Sequence, residues 1–152
     1  MKIFYLDSSA WVKRHQSEAG SDWMRRLWQP GVRFGCATLG LVEVLCTVTR
    51  RHANLVESVV TRNVLLAVRN DFDAFVQVEF DDAVVRLAES LGPQWKLRGA
   101  DSVHLASAVR LRDSLDATVT VIASDVELLA AAAAEGFAVL DPSQEPALPA
   151  VD

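Results

Sequence analysis

The sequence has little of what usually anchors, staples or metallates a small protein. It carries only two cysteines, Cys36 and Cys46, and three scattered histidines, His15, His52 and His104, in 152 residues. A structural zinc needs about four Cys or His ligands at short spacings, so a zinc fold is excluded. Both cysteines lie among apolar neighbours and are expected as small buried hydrophobes, kept reduced in a cytoplasmic setting. No run reaches the roughly 18 uncharged apolar residues that a membrane span requires. The longest candidate, Leu128–Leu140, is broken by Glu135 and Gly136. Only Lys2 precedes the first apolar run, and Asp7 interrupts it, so no targeting peptide is read and a cytoplasmic location without membrane contact is expected. Positive charge is also scarce. Fifteen Lys and Arg face 20 Asp and Glu, a net charge of −5, which argues against a chain-wide basic surface.

What is present describes an ordinary globular domain: 51% hydrophobic and 23% charged residues, with no internal repeat or low-complexity linker. One domain over residues 1–142 is expected, followed by a short Pro-containing tail, 143–152. Ile3–Leu6 reads as a strand ended by Asp-Ser-Ser, a helix start. Helices are expected over Ala10–His15 and Ser17–Trp28, the latter closed by Pro30-Gly31. A strand over Arg33–Ala37 leads to a helix capped by Thr38 and running to Arg51. Further helices are expected over Asn54–Phe72, from Asp81 or Asp82 to Leu91 with a stop at Gly92-Pro93, and over Gly99–Asp113. Phe75–Phe80 reads as a strand. Thr118–Ala123, rich in β-branched residues, is the clearest strand. A helix over Val126–Glu135, ended by Gly136, and a strand over Phe137–Leu140 complete the pattern. Strands alternating with helices predict an α/β fold with helices on both faces of a mainly parallel sheet of four to five strands.

Four carboxylates stand out by their surroundings. Asp7 is the only charge between Ile3 and Val12, and Glu43 is alone between Gly35 and Thr49. Asp101 has no charged neighbour from Gly99 to Val109, and Asp125 follows the uncharged run Ala117–Ser124. Other acids, such as Asp71, Asp73, Asp81, Asp82, Asp113 and Asp116, lie among polar residues or at helix ends. Glu43 sits on a helix with Leu41, Val44, Leu45 and Val48 on one side and Leu39, Val42 and Cys46 on the other. A helix apolar nearly all round is expected to be buried, with Glu43 pointing towards a cleft. An unpartnered buried carboxylate is unfavourable by several kcal/mol. Asp7 and Asp125 follow strand ends, where open parallel sheets place their ligand sites. No nearby run of Arg or Lys neutralises the four, so a hard divalent cation, Mg²⁺ or Mn²⁺, is the physical solution. Setting these four acids aside leaves near-balance with the 15 cations, so a nucleic-acid substrate stays compatible with the net charge. Taken singly, each acid is as well read as a helix cap or a dipole partner. The four together are harder to read that way.

These residues carry a family pattern. YLDSSAWVK (Tyr5–Lys13), LVEVLCTVTR (Leu41–Arg50), LRGADSVHLASA (Leu97–Ala108) and VIASDVELLAAAAAEGFAVLDP (Val121–Pro142) follow in order. With them the chain resembles PIN-domain nucleases, most closely the VapC-like toxins of bacterial toxin–antitoxin pairs. The resemblance implies a three-layer α/β/α PIN-like fold and a Mg²⁺- or Mn²⁺-dependent endoribonuclease. It implies catalytic roles for Asp7, Glu43, Asp101 and Asp125, with Asp7, Asp101 and Asp125 as metal ligands. It also implies an RNA substrate, a cognate antitoxin and a homodimer. Ser9 and Ser124 are supporting candidates. Many members have Thr or Ser where this chain has Ala123, and Ser124 can substitute.

Other residues read more plainly from the sequence. His104, three residues after Asp101, is read as a satisfied core histidine, and Lys13, Arg14 and His15 as solvated surface. Arg25, Arg26, Arg50, Arg51 and Arg98 are undifferentiated candidates for phosphate contact. Trp11, Trp23 and Trp28, at helical spacing, suit core or interface packing, and with the apolar content suggest surface covered by another chain. The alternative function is a catalytically weak PIN-like module that binds RNA or protein. A phosphoacceptor or phosphatase ranks below it, because no lysine follows Thr118–Ala123 in the segment Ser124-Asp125-Val126.

Overall fold

The computed structural model describes residues 1–52 and 58–150. The first strand, β1 (Lys2–Leu6), shows the period of two that a strand buried on both faces requires. Ile3 and Tyr5 enter one apolar cluster, and Phe4 and Leu6 enter the other. Asp7 then caps α1 (Ser8–His15), accepting the Ser9 backbone N–H. Helix α2 (Ser21–Leu27) is shorter than expected, because Gly20 at its N-cap takes a left-handed φ of 88° and the residues before it turn. After β2 (Phe34–Ala37) comes α3 (Thr38–Arg51), whose cap position is held by Ala37 and not Thr38. The Thr38 hydroxyl instead accepts the Phe80 N–H at 3.2 Å and ties this helix to a loop 42 residues away.

Helix α4 (Val59–Ala74) is capped by Ser58 and runs two residues past the expected end at Phe72. The expected start at Asn54 lies outside the described residues. Strand β3 is Val76–Val78, and Asp81 caps α5 (Asp82–Trp95). The expected stop at Gly92-Pro93 is corrected: the helix continues one more turn. Pro93 lacks an N–H, but the carbonyl it leaves unserved belongs to exposed Glu89, where water is at hand. The chain ends this helix at Lys96, in the left-handed region, with the Leu97 N–H on the Gly92 carbonyl at 3.0 Å. Helix α6 (Gly99–Leu115), β4 (Thr118–Ile122), α7 (Val126–Ala134) and β5 (Ala138–Leu140) follow, and a 3-10 turn at Pro142–Gln144 is the last regular element among the described residues.

The sheet has five strands, all parallel, in the order β3-β2-β1-β4-β5. Helices on both faces make it a three-layer α/β/α fold of the PIN-like kind. From β1 the chain steps outward to β2 and β3, then returns to the other side of β1 with β4. The switch therefore lies between β1 and β4, whose carboxyl ends are joined by the Asp7 N–H on the Ile122 carbonyl at 3.0 Å. Ligand sites form at such a switch because the two chain directions splay the loops apart.

One face is covered by α5, α6 and α7, the other by α1 to α4. Trp11 and Trp23 are fully buried in the second core, and Trp28 stacks on Phe34 with centroids 4.1 Å apart. Trp11 and Trp23 thus fill this chain's own core, and Trp28 is partly buried against it. Asp71, read as an ordinary helix acid, is buried in that layer. Its Oδ2 accepts Trp11 Nε1 at 3.3 Å and Arg14 Nε at 2.9 Å, and pairs with His15 Nε2 at 2.7 Å. Arg14 and His15 are therefore consumed in a structural network. Cys36 is buried as expected, but Cys46 is exposed.

The C-terminal segment is seated against α2. Trp23 Nε1 donates to the Pro146 carbonyl at 2.5 Å, and Lys2 Nζ to the Ala150 carbonyl at 2.7 Å. A Cβ at Gly20 would lie 2.6 Å from the Pro142 carbonyl carbon, and its φ is unfavourable for any side chain. Gly20→Ala is expected to destabilise the fold by about 1–3 kcal/mol. Thermal unfolding, with Trp23 fluorescence reporting release of the segment, checks this.

Candidate active site

The four singled-out acids come from four elements and face one crevice above the carboxyl ends of β1 and β4. Asp7 is 4% exposed. Its Oδ2 accepts the Ser9 N–H at 3.0 Å and the Ser9 hydroxyl at 2.5 Å. Ser9 Oγ in turn accepts the Ser124 N–H at 2.9 Å, so one hydroxyl bolts the β1 end to the loop that carries Asp125. The Ser124 hydroxyl donates to Asp141 Oδ1 at 2.9 Å, and Asp141 also holds Ser143. Ser124 thus orients the turn from outside, and buried Ala123 leaves its own position to packing. Asp141, unmarked in the sequence reading, is the outer end of this chain of bonds. Burial alone would raise its pKa, but the Ser143 and Ser124 hydrogen bonds and the charge of Lys13 hold it below the ordinary range.

The deepest residue of the site is His104, 1% exposed: it is the satisfied core histidine that the sequence reading expected, and its partners are the acids of the site. His104 Nε2 lies 2.6 Å from Glu43 Oε2 and 3.3 Å from Asp7 Oδ1. Its Nδ1 lies 3.0 Å from the Tyr5 hydroxyl. Burial pulls the imidazole's pKa down, yet the charge of Asp7, the bond and charge of Glu43, and Asp101 together raise it above its ordinary value. The same contact, with a Ser8 bond, keeps Glu43 ionised below the usual carboxylate range although burial acts to raise it. Tyr5 stays a neutral phenol, pushed up by burial and by the charges of Cys36 and Asp7. A signal was available: Tyr5 and Asp7 stand two residues apart in extended backbone at the end of β1, and His104 lies one turn from Asp101.

Helix α3 can approach this histidine because residue 40 is glycine. A Cβ there would lie 2.5 Å from Cys36 Sγ and 3.3 Å from His104 Cε1. The expectation that the whole helix is buried is corrected, since Val42 is 56% exposed and Cys46 is exposed. Glu43 sits at the boundary of these two sides, half-buried.

Asp101, in the first turn of α6, and Asp125, the cap of α7, stand across the crevice. Asp125 Oδ1 accepts the Leu128 N–H at 2.8 Å, and Oδ2 makes no hydrogen bond among the described residues. Arg98, 79% exposed at its side chain, reaches Asp101 at 3.8 Å and Asp125 at 3.9 Å. These are long, solvated contacts of little worth. Burial, then the charges of Asp125 and Asp7, raise the pKa of Asp101. Asp7 and Asp125 therefore press negative charge on Asp101, which the charges of Arg98 and His104 only partly offset.

This donor set suits a hard cation: all oxygen, clustered at a strand-end switch, with charge left over. Among the described residues, however, no three carboxylate, histidine or cysteine side chains converge closely enough for a ready-made metal cage. Oxygen donors at such separation fit an ion that keeps several waters, as Mg²⁺ does.

No protein-family profile matches the chain. Among curated proteins, ribonuclease VapC45 of Mycobacterium tuberculosis (strain CDC 1551 / Oshkosh) is 32% identical over 120 residues, covering 74% of this chain and 79% of the relative. The chain belongs to the VapC-like family of PIN-domain ribonucleases. Ribonuclease VapC47 of the same strain, another of these VapC proteins, is 29% identical over 144 residues, with 92% and 97% covered. Solved structures share the VapC-like fold at lower identity. A toxin–antitoxin complex from Klebsiella pneumoniae superposes with a TM-score of 0.64 at 14% identity, covering 91% of this chain and 96% of that one. DNA-bound VapBC from Salmonella typhimurium gives 0.64 at 11%, covering 93% and 99%. Mycobacterium tuberculosis VapC20, described as a sarcin-ricin loop cleaving toxin, gives 0.58 at 16%, covering 88% and 95%. Among the described residues no helix is long and apolar enough to cross a membrane.

The electrostatics of this VapC-like site set opposite expectations for two of its residues in metal-free protein. Asp101 has a raised pKa, so between the ordinary carboxylate value and the raised one the native state holds more proton than the unfolded chain. Stability falls as pH rises through that window, and the loss persists at neutral pH. Asp101→Asn removes this loss, so in chelator at neutral pH it should melt at the same or a higher temperature than wild type, with the gain vanishing in acid. His104 behaves oppositely: its contribution is full below the ordinary imidazole value and is lost as pH rises through its raised one. His104→Ala, which leaves Glu43 and buried Asp7 facing no cation, should cost about 3 kcal/mol or more at pH 6. Calorimetry of both variants across pH, in EDTA, separates the two.

Proposed function

We propose that this protein is a metal-dependent endoribonuclease, the toxin of a toxin–antitoxin pair, which hydrolyses RNA at the crevice between β1 and β4. The observation that carries the reading is the clustering of Asp7, Asp101 and Asp125, where burial and the charges of the other two raise the pKa of Asp101, beside a Glu43 already bonded to His104. The relatives' names add RNA as the substrate class. Asp7, Asp101 and Asp125 would hold Mg²⁺ or Mn²⁺, directly or through water. When bound, such an ion supplies Lewis-acid stabilisation of a scissile phosphate and a water made nucleophilic near neutral pH.

The chain's own side chains do the rest. Ser9 fixes the Asp7 carboxylate by two bonds to Oδ2, and Oδ1 faces His104 Nε2 at 3.3 Å. Glu43, kept ionised, is the carboxylate positioned to accept a proton from attacking water. His104 sets the position of Glu43 and Asp7 from below. Purified protein should cleave RNA in Mg²⁺ or Mn²⁺, stop in EDTA and recover when Mn²⁺ is restored. Asp7→Asn and Asp101→Asn should each lower cleavage by two orders of magnitude or more, on the scale of a lost transition-state contact. Cleavage that persists in chelator, with metal shown absent by elemental analysis, would sink the mechanism.

The same crevice needs a blocker in the cell. Solved neighbours of the fold include toxin–antitoxin complexes, which supports an antitoxin here. A groove of about 680 Å³ runs from Glu43 along α3, past exposed Val42 and Cys46 to Arg50. It suits an apolar segment of an antitoxin that sends a basic side chain towards Asp7 and Asp101. Arg98 already reaches both Asp101 and Asp125, so a guanidinium fits that geometry. A homodimer completes the proposal. Co-expression with the adjacent short reading frame should yield a complex with suppressed cleavage, and light scattering of the free chain a dimer mass. A complex that cleaves as fast as the free protein refutes the blocking role.

A further inference from the structure

The acids occupy one end of a trough, and its other end is basic. Helices α1 and α3 pack side by side, so Ser8, Ser9, Val12 and Lys13 of α1 face Glu43, Thr47, Arg50 and Arg51 of α3. The apolar groove along α3 continues into a second hollow of about 360 Å³ that contains Lys13, Arg50, Arg51 and a single acid, Glu18. The two hollows share Ser8, Thr47 and Arg50, so they form one channel. Lys13 lies six residues after Asp7, about 9 Å further along the helix axis. Arg50 lies seven residues after Glu43, two turns along the same face of α3.

Charge in this hollow is not balanced. Glu18 takes Lys13 at 3.1 Å and Arg51 at 2.6 Å, so two cations share its carboxylate, and Asp141 feels Lys13 only as a more distant charge. Arg50 has no carboxylate within ion-pair distance among the described residues; its guanidinium reaches only the Thr47 hydroxyl at 3.4 Å. Lys13 is the more unusual. Its side chain is only 9% exposed, yet of the three N–H donors on its ammonium only one finds an acceptor among the described residues, Glu18 Oε1. A nearly buried ammonium with donors to spare, beside a guanidinium that has no carboxylate partner among the described residues, is suited to an anion. The other candidate cations do not compete. Arg14 and His15 are spent on Asp71, Arg25 pairs with Asp22 on α2, and Arg98 stands over the acids.

We infer that Lys13 and Arg50, with Arg51 behind them, bind a phosphate of the RNA strand next to the scissile one. The trough between α1 and α3 is then the track along which the backbone enters the acidic end. This rests on the ribonuclease reading and extends it to the residues that position the strand. It also gives a net-acidic protein its grip on a polyanion: the cations are few but concentrated where the backbone passes. The contact is made to phosphate, so it carries affinity and register and no base preference.

The test uses a short, fluorescently labelled single-stranded RNA of mixed sequence, bound at equilibrium in Ca²⁺ over a series of salt concentrations. Arg50→Ala should weaken binding on the order of tenfold and reduce the slope of log affinity against log salt by about 0.7, the value for one phosphate on a single strand. Arg50→Lys should restore most of the slope, and Arg50→Glu should weaken binding further. Arg25→Ala, equally exposed but on α2, should leave both quantities at wild-type values. On a cleavable RNA, Arg50→Ala should raise KM about tenfold with kcat within about twofold. Lys13→Gln should act in the same direction, with circular dichroism confirming its fold. If wild type cleaves RNA and Arg50→Ala keeps the wild-type slope and KM, the track is wrong while the nuclease reading stands. If wild type neither cleaves RNA nor binds it in a salt-dependent way, the nuclease reading falls first.

Discussion

A buried imidazole organises this site. His104 enters from α6 with almost no contact with solvent and meets Glu43 of α3 and Asp7 of β1 through one nitrogen, while Tyr5 holds the other. Three elements distant in the chain are brought to one point by this single ring. Like charges drawn together away from water repel strongly, because little solvent lies between them to screen the interaction. An imidazole whose proton is stabilised by two carboxylates offsets that repulsion on the inner side of the crevice. On the outer side nothing comparable exists among the described residues, since Arg98 is distant and solvated. The uncompensated half of the site is therefore the half open to an incoming cation.

The rest of the fold serves to make that meeting possible. Helix α6 lies buried along most of its length, with Ala106, Ser107 and Ala108 allowing neighbours close to its axis. Gly40 lets α3 reach His104, and Ser9 with Ser124 and Asp141 locks the β1 end to the β4 end. The buried Asp71 network holds α1 against α4 from the opposite side of that layer. Helix α1 is thereby fixed at both ends, with its N-terminus in the acidic crevice and Lys13 in the basic hollow. A helix with the Asp7 carboxylate at its start and Lys13 near its end sets the distance between the acidic crevice and the basic hollow.

Much of this was legible in the residues. The alternation of Ile3 to Leu6, the β-branched run Thr118–Ile122 and the helical patterns between them specify a parallel α/β sheet, because burial on both faces demands near-continuous apolar strands. Asp7, Glu43, Asp101 and Asp125 were visible because a lone charge in an apolar stretch is costly unless something receives it. What a sequence reports poorly is satisfaction, that is, which polar group meets which. Asp71 looked like a solvated helix acid, and Lys13, Arg14 and His15 looked like one basic surface cluster. Tertiary structure divides that cluster, giving Arg14 and His15 to Asp71 and Lys13 to the trough.

The sequence by itself determined the layer order, the strand-end position of Asp7 and Asp125 and the identity of the four acids, since these follow from local periodicity and from where a carboxylate is tolerated. Only the tertiary structure decided that His104 is the imidazole beneath them, that Ser9 and Asp141 complete their support and that three of the scattered basic residues line one channel. Those are contacts between residues tens of positions apart: 61 separate Glu43 from His104, and 115 separate Ser9 from Ser124. Periodicity sets which face a side chain takes, but the partner on that face is chosen by how α3 and α6 close over the sheet, and that choice is a property of packing.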